Sequence, residues 1–531
     1  MKKRILVIRF GSFGDIILTS AALANLRISY RGHSIVFLTK ARFRPVVERF
    51  GSVDEIVTLP DSATMGDYYR LLLQLDDGSI DMVVDLHGNP RSWLARRLIG
   101  ANRKVVYPKR RRERYRITRR RKRIPDSWPH TIDLYNDAIA QLGTQVHCRR
   151  PVLPLLPATD GLKGLDALDK SQPLVAFAPG AAHPNKQWPM DKFAEVALQL
   201  NSTHNVAVLW LVTDADRGQS GLEDKLPPGS FVELVNYPIE QLADLIATAR
   251  VTIANDSGIA HLSSAVGTPV VAVFGPTHPA LGFAPRGLFD TVVEVDEACR
   301  PCSLHGRTPC YRNRRYCFDR VTSEMVGEVA AEQLELQAGV ERALFVDRDG
   351  TLIVDKNYLD DPDRIEFEAG SIEALKLTRK MGLKIVVISN QSGVARGLFG
   401  IDTVERVNAR LLDKLAAAGV EADGLYYCPH LPGGSVPEFS GVCNCRKPAP
   451  GMAEEAARQL GVRLQGSYVV GDKLDDLNLG QVIGARSFLV RTGHGRDEEL
   501  RLRESCIGSS DCVTDNLLAA VKRIRAVERN D

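Results

Sequence analysis

The 531-residue chain contains no stretch of about 18 uninterrupted apolar residues, so no membrane-spanning helix is expected. It lacks a bias of charge: 69 Lys and Arg stand against 65 Asp and Glu, a net +4, so any affinity for an anion has to come from local charge. It lacks the cysteine density of a disulfide-stapled scaffold, with ten thiols in all. It also lacks a short-period repeat, which excludes a solenoid. The opening MKKRILVIRFGSFGDIILTSAAL imitates a secretory leader, but Arg9 and Asp15 break its apolar run and no small-residue cleavage pattern follows. That stretch reads as a buried strand, a glycine-rich turn and a helix, in a chain expected to work in the cytoplasm.

What is present is an ordinary globular balance, 44% hydrophobic and 25% charged, at a length that suits about three domains. Short β-branched runs alternate with amphipathic stretches: ILVIRF (5–10) then 15–28, SIVFLT (34–39) then 41–50, IDMVVDL (80–86) then 91–99. A second series starts near 173 with LVAFAP, VAVLWLV, VTIAND and PVVAVFG. A third starts at ALFVDRDG, with KIVVISN, LYYCPH, SYVVGD and RSFLVRTG. Continuous apolar strands between helices predict an α/β chain of parallel sheets covered on both faces. The Pro-rich PVLPLLP (151–157), and Gly339 after EMVGEVAAEQLELQ, mark boundaries that give units over 1–160, 161–338 and 342–531.

In the third unit, ALFV runs into Asp347-Arg348-Asp349-Gly350-Thr351. Two carboxylates at i and i+2 stand at the carboxyl end of a parallel strand, where α/β ligands bind. Such a pair can hold Mg²⁺ and still present one oxygen as a nucleophile. Alone it reads equally well as a turn or helix cap. KIVVI ends in Ser389-Asn390-Gln391, Lys447 follows in CRKPAPG, and SYVV ends in Gly471-Asp472 with Asp475 and Asp476 behind it. In this order the residues resemble the four motifs of the haloacid dehalogenase superfamily of aspartyl-phosphate phosphatases, over 343–531. The resemblance implies Asp347 as the nucleophile and Asp349 as acid and then base. It places Ser389 and Lys447 on the phosphoryl oxygens, and Mg²⁺ on Asp347, Asp472 and the backbone carbonyl of Asp349.

Cys428-Pro429-His430 and Cys443-Asn444-Cys445 are spaced C-x-H-x12-C-x-C. Three thiolates and one imidazole close a tetrahedral zinc set of the structural kind, able to pin the irregular LPGGSVPEFSG between them. With DRDGTL and SNQSGVARG, the block YYCPHLPGGSVPEFSGVCNCRKPAPGM closely resembles the heptose 1,7-bisphosphate phosphatases. That implies removal of the 7-phosphate of D-glycero-D-manno-heptose 1,7-bisphosphate. Arg446 would meet the retained 1-phosphate, with Asn390, Gln391 and Arg396 as further pocket residues. The same zinc loop occurs in histidinol-phosphate phosphatases, the alternative substrate class.

The first strand ends in Arg9-Phe10-Gly11-Ser12-Phe13-Gly14-Asp15, a glycine-bearing turn of the kind that approaches phosphate. Asp15 reads equally as a charge favoured at a helix start. VTIAND runs into Asn255-Asp256-Ser257-Gly258, with His261 one turn into the helix, and PVVAVFG leads to Thr277. The N–H groups at that helix start can bind a diphosphate, while His261 alone reads as a satisfied histidine under the sheet. Lys186 follows a strand in FAPGAAHPNKQWP. Together RFGSFGDIILTSAAL, PGAAHPNKQWP and NDSGIAHLSSAVGTPVVAVFGPT resemble glycosyltransferase family nine, the lipopolysaccharide heptosyltransferases. The resemblance implies two Rossmann-like lobes of the GT-B type facing a cleft, with no metal required for the donor. Asp15 would be the base on the acceptor hydroxyl and Lys186 the cation for the leaving diphosphate. Asp256, Ser257, Gly258, His261 and Thr277 would form the pocket of a nucleotide-diphosphate heptose. LVTDADRG (211–218) departs from the glycine-rich loop often found after that strand, so the nucleotide base stays open.

Residues 109–123, KRRRERYRITRRRKR, hold eleven Lys or Arg and one Glu. The run reads as a solvated segment, or as a contact with the anionic inner face of the membrane. Nucleic acid is not expected, for want of a recognition fold or an aromatic platform. Cys299, Cys302, Cys310 and Cys317 suit a second metal, free thiols or a redox pair; Cys148, Cys506 and Cys512 show no pattern. The whole is expected to be a two-activity enzyme, phosphatase and heptosyltransferase, acting on a lipopolysaccharide core and lipid A acceptor. A histidinol-phosphate-type phosphatase fused to a non-catalytic glycolipid-binding module is the alternative.

Overall fold

A computed structural model describes residues 3–120, 128–155, 162–504 and 512–529. The chain divides into two compact units, one within residues 1–338 and the other essentially Gly339–Asp531. The first unit holds two sheets. One is built from β1 (Arg4–Ile8), β2 (Ser34–Lys40), β3 (Glu55–Leu59), β4 (Ile80–Asp85) and β5 (Arg103–Val106), in the order β3-β2-β1-β4-β5. The other is built from β6 (Leu174–Ala178), β7 (Ala207–Val212), β8 (Phe231–Val235), β9 (Val251–Asn255), β10 (Val270–Val273) and β11 (Thr291–Val293), in the order β11-β10-β9-β6-β7-β8. The second unit holds β12 (Glu341–Asp347), β13 (Lys384–Asn390), β14 (Gly424–Cys428), β15 (Val462–Gly471), β16 (Arg486–Val490) and β17 (Val513–Thr514), in the order β14-β13-β12-β15-β16-β17.

Every ladder between these strands is parallel. The cause is the run of Val, Ile, Leu and Ala in the central strands. β9 and β10 are buried at every residue, which only helices on both faces can arrange. In each sheet the strand order reverses once next to the first strand of its series: between β1 and β4, between β6 and β9, and between β12 and β15. Adjacent crossovers leave in opposite directions there, which opens a crevice beyond the carboxyl ends. The predicted Asp15, Asp256 and Asp347 all follow or end a strand at such a reversal.

The edges differ from expectation. β3, β5 and β8 are strands that hydrophobic runs do not announce. They are edge strands with exposed or half-exposed residues, so EIVTL and FVELV carry polar positions. The stretch expected as one helix over 41–50 is a 3-10 turn, Ala41–Phe43, followed by a short helix, Arg44–Glu48, with Pro45 near its start. Two thirds of the basic run is a helix, Arg111–Arg120; residues 121–123 lie outside the described residues, as do Cys506 and residues 156–161 of the Pro-rich boundary. No helix among the described residues is long and apolar enough to cross a membrane.

Candidate active sites

In the second unit the carboxyl ends of β12, β13 and β15 bring Asp347, Ser389 and Asp472 together around one buried cation. Lys447 Nζ donates to Asp347 Oδ1, to Asp476 Oδ1 at 2.6 Å and to the Ile388 carbonyl at 3.2 Å. The loop carrying it is fixed by Asn390, whose amide oxygen accepts from Lys447 N at 3.0 Å and whose Nδ2 donates to Lys447 O at 3.2 Å. These two bonds tie the Asn390 amide to the backbone of Lys447, so it braces the loop that carries that cation. Gln391 also points inward: its Nε2 donates to Asp349 Oδ2 at 2.8 Å and to Ser389 Oγ at 2.6 Å. Arg396 is exposed, with its guanidinium 5.9 Å from the centre of the Tyr358 ring. Arg446 Nη1 donates to the His430 carbonyl at 3.2 Å.

Two groups here carry no motif weight in the sequence. Asp476 is the second carboxylate on Lys447 and is 1% exposed. Arg348, also 1% exposed, pairs with Asp349 Oδ2 at 2.9 Å and donates to Asn408 Oδ1 at 2.7 Å. Burial favours the neutral form of Asp349, but Arg348 and Gln391 outweigh it and hold the carboxyl below its usual range. Asp347 and Asp472 go the other way. Burial first, then the charge of Asp476 on Asp347 and of Asp347 on Asp472, push them up to about 6 and about 8, although Lys447 opposes the rise at Asp347.

The acidic group formed by Asp347, Asp472 and Asp476 has oxygens within 4.8 Å of one another. Asp476 spends Oδ1 on Lys447 and Oδ2 on Lys473 N, whereas Asp347 gives Lys447 only Oδ1, so Asp347 and Asp472 are the pair with oxygens left for a divalent cation. Asp472 fits the part. Its Oδ2 accepts from His494 N at 2.8 Å, while Oδ1 is buried with no partner. A Cβ on Gly350 or Gly493 would fall 2.4 or 2.3 Å from Asp472 Oδ2, so two glycines clear the space it occupies. A buried carboxylate with an orphan oxygen beside a like charge is the donor set a hard cation completes.

Cys428, His430, Cys443 and Cys445 converge. Cys445 Sγ lies 3.0 Å from Cys428 Sγ, 3.3 Å from Cys443 Sγ and 3.4 Å from His430 Nδ1. Four donors around a tetrahedral zinc at about 2.3 Å stand roughly 3.5–3.8 Å apart, so a small outward adjustment admits the ion. Hydrogen bonding with Cys428 and then Cys443 pulls the Cys445 thiol down to about 5, toward the thiolate a metal requires. Arg446 N also donates to Cys443 Sγ at 3.3 Å.

In the first unit the loops after β1, β6, β9 and β10 border one cleft of about 1510 Å³, above the usual size of a small-ligand pocket. Asp15, Lys186, Asp256, Ser257, Gly258, His261 and Thr277 all line it. Asp15 is held by Arg9, a buried residue (4% exposed) whose Nη2 reaches Asp15 Oδ2 at 2.5 Å while Nη1 donates to the Leu86 carbonyl at 2.6 Å. Ser12 donates to the same oxygen through N at 3.2 Å and Oγ at 2.9 Å. Burial opposes the charge, yet Arg9 and Ser12 hold the Asp15 carboxyl down at about 2. Asp256 Oδ2 takes Lys186 Nζ at 2.7 Å and the Thr277 hydroxyl at 2.7 Å. The Gly258–Val266 helix begins after an extended Ser257 whose Oγ caps nothing and is buried without a partner. His261 Nδ1 is likewise buried and unpartnered. A Cβ on Gly14 would fall 2.6 Å from His261 Cδ2, and one on Gly258 2.4 Å from Phe13 Cδ1, so two glycines let the β1 turn press against the helix start.

The basic run is not wholly a solvated segment. Arg114 is 6% exposed, lines the cleft and leaves Nε and Nη2 without partners, with its guanidinium 5.0 Å from the Phe283 ring centre. Lys109 is half-buried, and that burial, with the charges of Arg9 and Arg111, pushes it down to about 8. Cys299, Cys302, Cys310 and Cys317 border one small cavity. They are not among the donor groups gathered within 4.8 Å in the described residues, so as placed they do not form a bonded metal set.

Known proteins divide along the same line. Residues 68–308 match the family model described as glycosyltransferase family 9 (heptosyltransferase), and residues 444–520 one described as HAD-hydrolase-like. A D-glycero-beta-D-manno-heptose-1,7-bisphosphate 7-phosphatase of Escherichia coli (strain K12) is 46% identical over 153 residues, 28% of this chain and 80% of that protein. The one of Pasteurella multocida (strain Pm70) is 38% identical over 186 residues, 34% of this chain and all of that protein. A family 9 glycosyl transferase from Veillonella parvula shares the fold with a TM-score of 0.50 and 20% identity, covering 63% of this chain and 99% of its own.

Proposed function

We propose, on the premise that this chain belongs to the D-glycero-β-D-manno-heptose-1,7-bisphosphate 7-phosphatase family and carries a glycosyltransferase family 9 region fused ahead of it, an enzyme of lipopolysaccharide heptose metabolism with two active sites. The second unit hydrolyses the 7-phosphate of a heptose 1,7-bisphosphate. Asp347 attacks phosphorus, and the bond to the sugar oxygen breaks with its electron pair on that oxygen, which takes the proton of Asp349. An aspartyl-phosphate remains. Asp349, now ionised, accepts a proton from water as the water attacks phosphorus and frees Asp347. The Arg348 and Gln391 bonds favour ionised Asp349 at rest, and an incoming phosphate dianion raises its pKa enough to protonate it. Ser389 and Lys447 hold the equatorial oxygens. Magnesium on Asp347 and Asp472 supplies charge neutralisation of the phosphoryl group. Zinc on the cysteine–histidine set pins the loop that carries Arg446, which faces the retained 1-phosphate.

The first unit moves a heptose from a nucleotide diphosphate to a lipopolysaccharide core acceptor. Asp15, tied through Oδ2 alone, receives the acceptor proton at Oδ1 as that hydroxyl oxygen bonds to the sugar. The diphosphate leaves toward Lys186 and the Gly258 helix start. Arg114 and Lys109 favour an acceptor bearing phosphate or carboxylate. The exposed Arg112 and Arg116 on the same helix favour a peripheral contact with anionic lipid, from the cytoplasmic side.

The observation that carries the proposal is the placement of two complete charge sets at strand-order reversals: Lys447 with its carboxylates, and Asp15 across one cleft from Lys186. The test is phosphate release from both anomers of heptose 1,7-bisphosphate and from histidinol phosphate, with Asp347→Asn as the blank. It is run beside heptosyl transfer by wild type and Asp15→Asn. Preference for histidinol phosphate overturns the substrate; transfer unaffected by Asp15→Asn overturns the base.

A further inference from the structure

We infer that Arg307, delivered beside Lys186 by the cysteine-bearing loop 299–317, is the second cation that meets the leaving diphosphate; this rests on the transferase reading above. The need for it is electrostatic. Among the described residues that the lobe after residue 161 gives to the cleft, the Lys and Arg side chains are Lys186 and Arg307. Lys186 is already matched, with Nζ 2.7 Å from Asp256 Oδ2, so the pair offers little net charge. When the acceptor oxygen bonds to the sugar carbon, the bond to the diphosphate oxygen breaks. Its electron pair stays on that oxygen, and the acceptor proton goes to Asp15. The new negative charge then faces a cation that a carboxylate already neutralises. The helix start at Gly258 supplies partial charge; among the described residues of this lobe that line the cleft, Arg307 is the whole cation that stands beside Lys186.

The loop is built to place it. Asn185, the residue before Lys186, donates through Nδ2 to the carbonyls on either side of Arg307, Gly306 O at 3.3 Å and Thr308 O at 3.1 Å. Gly306 has φ +73°, and a Cβ there would fall 2.2 Å from Lys186 Cγ, so the loop backbone lies directly on the lysine stem. The Arg307 guanidinium approaches His183 Nε2 at 3.4 Å. Burial, together with Arg307 and Lys186, lowers the pKa of that imidazole, so no second positive charge is favoured beside the guanidinium. Among the described residues it makes no ion pair. Both ends of the loop are tied to the turns that carry the other site residues. Arg300 Nη2 donates to Thr277 O at 2.9 Å, and Arg315 Nη1 to Gln187 O at 3.1 Å.

The test uses the full chain and calorimetric titration with ADP, with AMP as the probe that lacks the second phosphate and GDP to cover base preference. Arg307→Ala is expected to weaken diphosphate binding about 5- to 10-fold, the scale of one charge-assisted contact made by an exposed guanidinium. AMP binding should hold within about twofold. Arg307→Lys should keep most of the diphosphate affinity, since it restores charge without the fork. Diphosphate affinity unchanged in Arg307→Ala but lost in Lys186→Ala overturns the role of Arg307 and leaves the transferase reading standing. AMP affinity falling in step with ADP in Arg307→Ala also overturns it, because the damage is then not to diphosphate recognition. Failure of every nucleotide to bind the wild type overturns both.

Discussion

Asp472→Asn tests the charge logic of the phosphatase centre most directly. The substitution keeps the shape of the side chain, and an amide oxygen can still accept from His494 N, so packing is conserved. What changes is the charge. In the metal-free protein the Asp472 carboxyl is raised from 3.8 to about 8, by burial first and by Asp347 second. The folded state therefore holds a proton that the unfolded state gives up near pH 4. The stability this confers is complete below about pH 4 and lost as pH rises toward about 8. Between about pH 5 and pH 8 the loss comes to at most about 4 kcal/mol, at about 1.36 kcal/mol per unit. Scanning calorimetry in EDTA across that range should show the wild-type phosphatase transition falling with pH, and that of Asp472→Asn falling much less. Added Mg²⁺ should restore the wild type at pH 8, since a bound cation stabilises the fold by mass action, and do far less for the variant, which should also lose phosphatase activity. Equal pH slopes for the two proteins without metal would refute the claim that Asp472 is a buried charge awaiting a cation.

Three further outcomes follow from other parts of the molecule. Cys443→Ser with Cys445→Ser should lose about one zinc per chain by elemental analysis and make the 431–442 loop cleavable by protease; full zinc occupancy would sink the set. Arg9→Gln removes the cation that holds Asp15 at about 2. The acid limb of transfer in kcat/KM should then move up by one to two pH units, about what a lost ion pair with a buried carboxylate amounts to; an unmoved limb would mean that Arg9 does not set the charge on Asp15. Arg114→Ala should raise the acceptor KM about tenfold, the scale of one charged hydrogen bond, while the donor KM stays put; a donor effect instead would place Arg114 on the wrong substrate.

Legibility in the sequence tracked how directly each group sits on a strand. Asp347, Ser389 and Asp472 end or follow apolar strands, and strand ends at a reversal are where ligands gather, so the alternation set their place in the fold while the resemblance supplied their expected roles. Asp476 was not distinguished from Asp475, because the choice depends on the Leu474–Ile483 helix. Asp476 is the third residue of that helix and accepts from Lys473 N at 3.1 Å, which turns its other oxygen toward Lys447. Arg9 read only as an interruption of an apolar run; its meaning requires the turn that brings Asp15 back onto it. The basic run hid Arg114 for the opposite reason. Eleven cations look uniformly solvated until a helical period sorts them, placing Arg114 and Ile117 inside and Arg112 and Arg116 outside. The cysteines at 299–317 show that spacing fixes less than it suggests. The Cys428 set has two one-residue separations that force its donors together, whereas separations of two, seven and six residues leave a loop free to spread.

A shared device links the two sites. In Asp15, Asp256, Asp347 and Asp472, the described side-chain bonds all fall on one carboxylate oxygen. Arg9 and Ser12 take Oδ2 of Asp15, Lys186 and Thr277 take Oδ2 of Asp256, Lys447 takes Oδ1 of Asp347, and His494 N takes Oδ2 of Asp472. Tying one oxygen fixes the plane of the carboxylate, and the cation or N–H that ties it keeps the resting charge tolerable in a buried place. The other oxygen is left for a proton, a phosphorus atom or a cation. The same sites differ in what they must release. On the proposed activities, the phosphatase would leave a sugar that keeps its 1-phosphate, whereas the transferase would take a sugar whose first carbon bears a nucleotide diphosphate. A nucleotidyl transfer onto that 1-phosphate has to come between the two, so the product of one site is not the substrate of the other. On that reading covalent fusion does not act by handing an intermediate across. What it fixes is stoichiometry, one phosphatase for each transferase.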